Sequence, residues 1–219
     1  MPEATNTVDM KIAIQRGDAE LVGRLLAEDP SRANTPIRWG ENDRLQTPPL
    51  HFVSDMIWDG TLAFGDEMPI IDALIVAGAD LNSQNGGPLN GAASLGAEDV
   101  GIRLLAAGAR PDLVGRFGET ALHWAAYLGA SRLVDRLIQA GSPLDVRDRN
   151  YNSTALGWAM HGWRLPVPPP WVAAGITPRH VDVVARLVGA GAVVEPSWLA
   201  PEDVRDDARM MAALQGRAP

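Results

Sequence analysis

Leu89, Leu122 and Leu156 each open an apolar run, and they stand 33 and 34 residues apart. An Ala-Gly pair closes a later apolar run at Gly78, Gly108, Gly141 and Gly191, and Gly108 to Gly141 is again 33 residues. Two independent markers with one period restrict the chain to a stacked array of short repeated units. The clearest copy runs from Phe117 to Asp148. Gly118 and Thr120 are a turn-then-cap signal, and Leu122, Ala125 and Ala126 share one helical face. Gly129 stops that helix. A second helix carries Leu133, Val134, Leu137 and Ile138 as an amphipathic stripe and ends at Ala140-Gly141. Two helices this short cannot bury their faces alone, so copies must stack on either side.

The helix openings carry a further motif. Residues 120–125 read Thr-Ala-Leu-His-Trp-Ala, and Thr47-Pro48-Pro49-Leu50-His51 is the same pattern with one residue inserted. Gly87-Pro88-Leu89-Asn90-Gly91-Ala92 is a weaker version, and Thr154-Ala155-Leu156-Gly157-Trp158-Ala159 lacks the histidine. On these residues the chain resembles the ankyrin repeat family, whose signature is T-P-L-H-x-A at this period. The resemblance covers residues 8–195. It implies an all-α solenoid of helix-turn-helix units with short hairpin-like turns, and it implies little about function, because the family is defined by its scaffold.

The expected organisation is a flexible stretch over 1–7, a repeat array over 8–195, and a C-terminal capping helix and tail over 196–219. The first unit pairs Met10, Ala13 and Ile14 with Leu21, Val22, Leu25 and Leu26. Residues 31–46 read as a loop whose Trp39 packs on a neighbour. Spacing places nine extra residues between the second unit's helices, within Ile57 to Pro69, and sixteen in the fifth, near 163–178. The larger insert has five prolines, three consecutive from Pro168, a polyproline II pattern. In the tail, Val204, Ala208, Met211 and Leu214 read as one apolar face.

Composition narrows the function classes. The net charge is −8, which argues against nucleic acid and anionic membrane surfaces. No cysteine is present, so disulfides and thiolate chemistry are excluded. No apolar run reaches membrane-spanning length, and the first residues lack a signal-peptide pattern. The expectation is a soluble, cytoplasmic, monomeric protein with no cofactor. Neither a phosphate-binding glycine motif nor a histidine cluster at metal-ligand spacing occurs.

The resemblance implies that partners meet the concave face, made from turn tips and first helices. Helical spacing puts Phe52, Gly91, Trp124 and Trp158 in one row there, with Asp55, Ser94, Tyr127 and His161 beside it. Gly91, without a side chain, is expected to leave a notch between Phe52 and Trp124. Aromatic walls with convergent polar groups suit a small ligand, and carboxylate, phenol and imidazole from Asp55, Tyr127 and His161 can transfer protons. Phe117, Glu119 and Tyr151 at the turn tips are candidate protein contacts. His51 and His123 hold a motif position whose family role is structural, His180 is expected in solvent, and Ser153-Thr154 reads as a helix cap. Two readings follow: an interaction module with a protein partner, and a small-molecule or catalytic protein using the Gly91 notch.

Overall fold

The computed structural model describes residues 10–165 and 177–217. The expected flexible stretch over 1–7, the proline run from Pro168 and Trp171 lie outside the described residues. The first unit pairs α1 (residues 10–15) with α2 (Ala19–Glu28). Four more pairs follow: α3 (Pro49–Trp58) with α4 (Glu67–Val76), α5 (Ser83–Ser94) with α6 (Glu98–Ala106), α7 (Ala121–Tyr127) with α8 (Ser131–Gln139), and α9 (Ala155–Trp163) with α10 (His180–Gly189). First helices stack in the order α3, α5, α7, α9, and α6, α8 and α10 form a second row. The core is continuous through the stack, with Ile14, Phe52, Leu74, Leu122, Leu137 and Leu187 fully buried.

Short helices need firm stops. Gly129 adopts φ 67° between α7 and α8, a conformation a side chain resists. Its carbonyl accepts the Arg179 N–H at 2.9 Å, and a Cβ there would lie 2.6 Å from that nitrogen. The glycine therefore serves both the turn and the close approach of the chain entering α10.

The third unit is thin, as its composition requires. A Cβ on Gly101 of α6 would stand 2.7 Å from the Leu133 side-chain tip of α8, so the glycine leaves the space that this leucine fills. Ion pairs join the second row from outside: Arg103 to Asp72, Arg132 to Asp99 and Arg186 to Asp135, each at 2.7 Å. Glu98 adds a hydrogen bond from the Leu133 N–H at 2.9 Å, satisfying an otherwise unpaired donor in the first turn of α8.

Two elements differ from the sequence expectation. Residues 31–46 are not a plain loop. They contain a two-stranded antiparallel hairpin, β1 (Ile37–Trp39) with β2 (Leu45–Thr47), the one sheet among the described residues. Trp39 closes it by donating Nε1–H to Thr47 Oγ1 at 2.8 Å, and its ring meets Phe52 edge-on at 5.6 Å. The C-terminal helix is two helices, α11 (Glu202–Asp206) and α12 (Ala208–Leu214). Asp207 separates them and accepts the N–H groups of Arg209 and Met210, both at 2.9 Å. That break resets the helical phase, so the buried set is Val204, Met210, Ala213 and Leu214, packed through α12 onto α10.

Candidate functional site

Aromatic side chains of the fourth and fifth units converge because two polar side chains lock the backbone around them. Thr120 caps α7 and faces His123 one turn later. The Thr120 N–H donates to His123 Nδ1 at 3.1 Å, so Nδ1 is the acceptor and the ring proton sits on Nε2. Nε2 then donates to the Ser153 carbonyl at 3.2 Å, tying α7 to the turn that opens α9. Burial holds the His123 pKa below its ordinary value, outweighing nearby acceptors and charges that favour protonation. The imidazole is a neutral strut.

Asp148 organises the turn itself. Its carboxylate accepts N–H groups from Asn150 at 2.9 Å, Tyr151 at 2.8 Å and Ser153 at 3.0 Å. It also accepts Nε1–H of Trp158 at 3.0 Å, although only 3% of the residue is exposed. Burial acts to raise its pKa, but the hydrogen bonds from Tyr151, Trp158, Ser153 and Asn150 prevail and hold it below the carboxylate range. A buried, ionised carboxylate thus sits at the Nε1 edge of the Trp158 indole. Thr154 caps α9 by accepting the Gly157 N–H, as its position before the helix predicts.

On this frame the rings meet at steep angles. Trp124 and Trp158 lie 5.0 Å apart at 87°, and Tyr127 meets Trp158 at 5.9 Å and 76°. Tyr127 stacks on His161 at 5.9 Å and 13°. With Tyr151, Ser153 and Gly157 these residues line an open pocket of about 550 Å³. No lysine, arginine or carboxylate is in its wall. Gly157 keeps the floor low, since a Cβ there would collide with Ser153 Oγ. Burial, then the proximity of Tyr151, pushes the Tyr127 phenol pKa up, so it is a neutral hydroxyl.

The remaining candidates lie elsewhere. Phe52 is fully buried behind Trp39 and offers no surface. Gly91 is not the floor of a notch: a Cβ there would lie 3.0 Å from Ser54 Cβ, because α5 packs closely on α3 at that point. Ser94 Oγ is turned back onto the Gly91 carbonyl at 2.9 Å. Asp55 stands on α3 beside His51, 3.9 Å from its Nε2, and is not part of the wall holding Tyr127 and His161. Burial raises its pKa, opposed by His51 and Thr47 and reinforced by Asp59. The expected Asp55, Tyr127 and His161 set is therefore not one acid–base site. Glu119 is 8% exposed and accepts the Phe117 N–H at 2.8 Å, so it shapes its turn. Phe117 and Tyr151 are exposed, at 47% and 76%.

His180 also departs from expectation. It is half-buried, bonded through Nε2 to the Tyr127 carbonyl at 2.9 Å, and burial lowers its pKa despite that bond. Gly162 permits the approach, since a Cβ there would collide with the same carbonyl. A second groove of about 480 Å³ runs along the N-terminal ends of α6 and α8. Phe64 of the first insert and Thr177 with Arg179 at the end of the second both line it. Neither Trp58, Phe64 nor Trp163 lines the aromatic pocket.

A family model for ankyrin repeats, in three copies, matches residues 61–148 and 89–164. Residues 61–164 are ankyrin repeats. No curated protein matches the chain. Ankyrin repeats are generally protein-interaction modules, and here they place the aromatic pocket on their first helices and turn tips. Among the described residues no helix is long and apolar enough to cross a membrane, and no group of three metal-binding side chains is gathered.

Proposed function

We propose that this protein is an interaction module whose ankyrin repeats dock a partner protein on the face of first helices and turn tips, the side expected to be concave. One observation carries the reading. Trp124, Tyr127, Tyr151 and Trp158, drawn from two successive repeats and the turn between them, open onto one pocket instead of closing into the core. Tryptophan and tyrosine in a well-packed pocket are the residue types that carry binding energy at protein interfaces. Phe117 extends the surface one turn away, with Arg116 over its ring at 5.6 Å. The partner is expected to bind as a segment that inserts one group into the pocket and lays its flanks along the tips.

Selection from a random peptide library displayed on phage tests this. Binders of the wild-type chain should lose binding to Trp124→Ala and Tyr151→Ala, and keep it to Trp58→Ala, whose indole lies outside the pocket. Binders indifferent to the first two substitutions would overturn the reading. A free small molecule is the second reading, favoured by the pocket volume, which lies within the range of ligand cavities.

A further inference from the structure

The chemistry of the pocket narrows what it accepts. Its polar wall groups are hydroxyls and an imidazole, and the rest is aromatic surface from Trp124, Tyr127, Tyr151 and Trp158. The Trp124, Tyr127 and Trp158 rings stand at steep angles to one another, 5.0 to 6.3 Å apart, and the face of each aromatic ring carries negative potential. The Asp148 carboxylate lies at the edge of one of these rings, accepting the Trp158 Nε1–H at 3.0 Å, and adds to that potential. None of the turn arginines lines the pocket: Arg147 pairs with Glu195 at 2.9 Å, Arg149 reaches the Arg116 carbonyl at 3.5 Å, and Arg116 lies over Phe117. The whole chain carries a net charge of −8.

A hydrogen-bonding ligand finds few fixed partners in such a wall, whereas a cation without N–H groups needs none. We propose that the pocket is a cage for a quaternary ammonium group, presented by the partner as a trimethylated lysine side chain. The inference rests on the docking reading above and adds the chemical identity of the inserted group. Attraction comes from the ring faces, strongest for tryptophan, and from the carboxylate at the edge of Trp158.

The test uses the full chain and follows tryptophan fluorescence during titration. The probes are choline, its neutral isostere 3,3-dimethylbutan-1-ol, and a short peptide carrying either trimethyllysine or lysine. Choline should bind about tenfold more tightly than the neutral alcohol, the difference that cation–π contacts supply. The trimethyllysine peptide should bind more tightly than choline and than the unmodified peptide. Tyr151→Ala, at an exposed position, should weaken choline severalfold without unfolding the chain, and Trp158→Phe should keep part of the binding. Equal affinity for choline and the alcohol would overturn the cation while leaving an apolar docking pocket in place. Choline bound as tightly as the methylated peptide would overturn the protein-borne source. Absence of saturable binding by every probe would overturn the cage, and the peptide selection would still decide the docking reading.

Discussion

Gly91 and His123 show how much a single side chain decides. A leucine at Gly91 improves helix propensity, but its Cβ already meets Ser54 at 3.0 Å, so α3 must give way to admit it. Gly91→Leu should cost about 1–3 kcal/mol of stability through overpacking, read as a lower melting temperature, while a ligand of the aromatic pocket still binds the folded fraction. A melting temperature that held would place Gly91 at an open surface. The sequence spacing put Gly91 on the correct helix and missed its neighbour, because the distance between α3 and α5 is set by the small residues on both. His123 and His180 have a pH signature. Burial holds both imidazoles below the ordinary value of 6.5, so the unfolded chain binds more protons as the solution is acidified. Their stabilising contribution is complete above pH 6.5 and falls as pH drops through the folded values. Thermal melts from about pH 7.5 to about pH 5.5 should show a declining melting temperature, with a shallower slope in His180→Gln. An unchanged slope in that variant would mean His180 is solvated in the folded chain.

At the scale of elements, the helices were legible and the turns less so. The Leu122 to Ile138 pattern marks α7 and α8 because helical periodicity is local, and Gly129 ends the first where a left-handed residue is needed. Asp148 carried no such periodic signal. Its role depends on three backbone N–H groups and an indole arriving from the next ten residues, although an aspartate opening a turn is the one local hint. Asp148→Ala would leave those buried donors unpaired and should cost about 3 kcal/mol, with the Trp158 indole resonance shifting in the NMR spectrum. A variant as stable as the wild type would show that water replaces the carboxylate. The ion pairs along the second helices should matter far less. A double-mutant cycle on Arg186 and Asp135 is expected to give a coupling below about 1 kcal/mol that shrinks with salt, because both side chains remain partly exposed. The hairpin at Trp39 and the break at Asp207 were missed for one reason: short polar segments take their shape from side-chain hydrogen bonds that periodicity does not encode.

Across the whole molecule, stacking turns residues that are far apart in sequence into one surface. Trp124, Tyr127, Trp158 and His161 were legible as neighbours because they recur at the repeat spacing. Phe52 and Asp55 hold the matching positions after the Leu50-His51 motif, but the hairpin's Trp39 covers Phe52, and Asp55 stands apart beside His51. The surface therefore begins at the fourth repeat. Its use as the docking site is tested most directly by the indole N–H resonances of the seven tryptophans in a proton–nitrogen NMR spectrum, recorded with a peptide obtained from the library selection. Binding should shift the Trp124 and Trp158 resonances and leave Trp58 and Trp163 in place. Shifts confined to Trp58 and Trp163, with Trp124 and Trp158 unmoved, would contradict it.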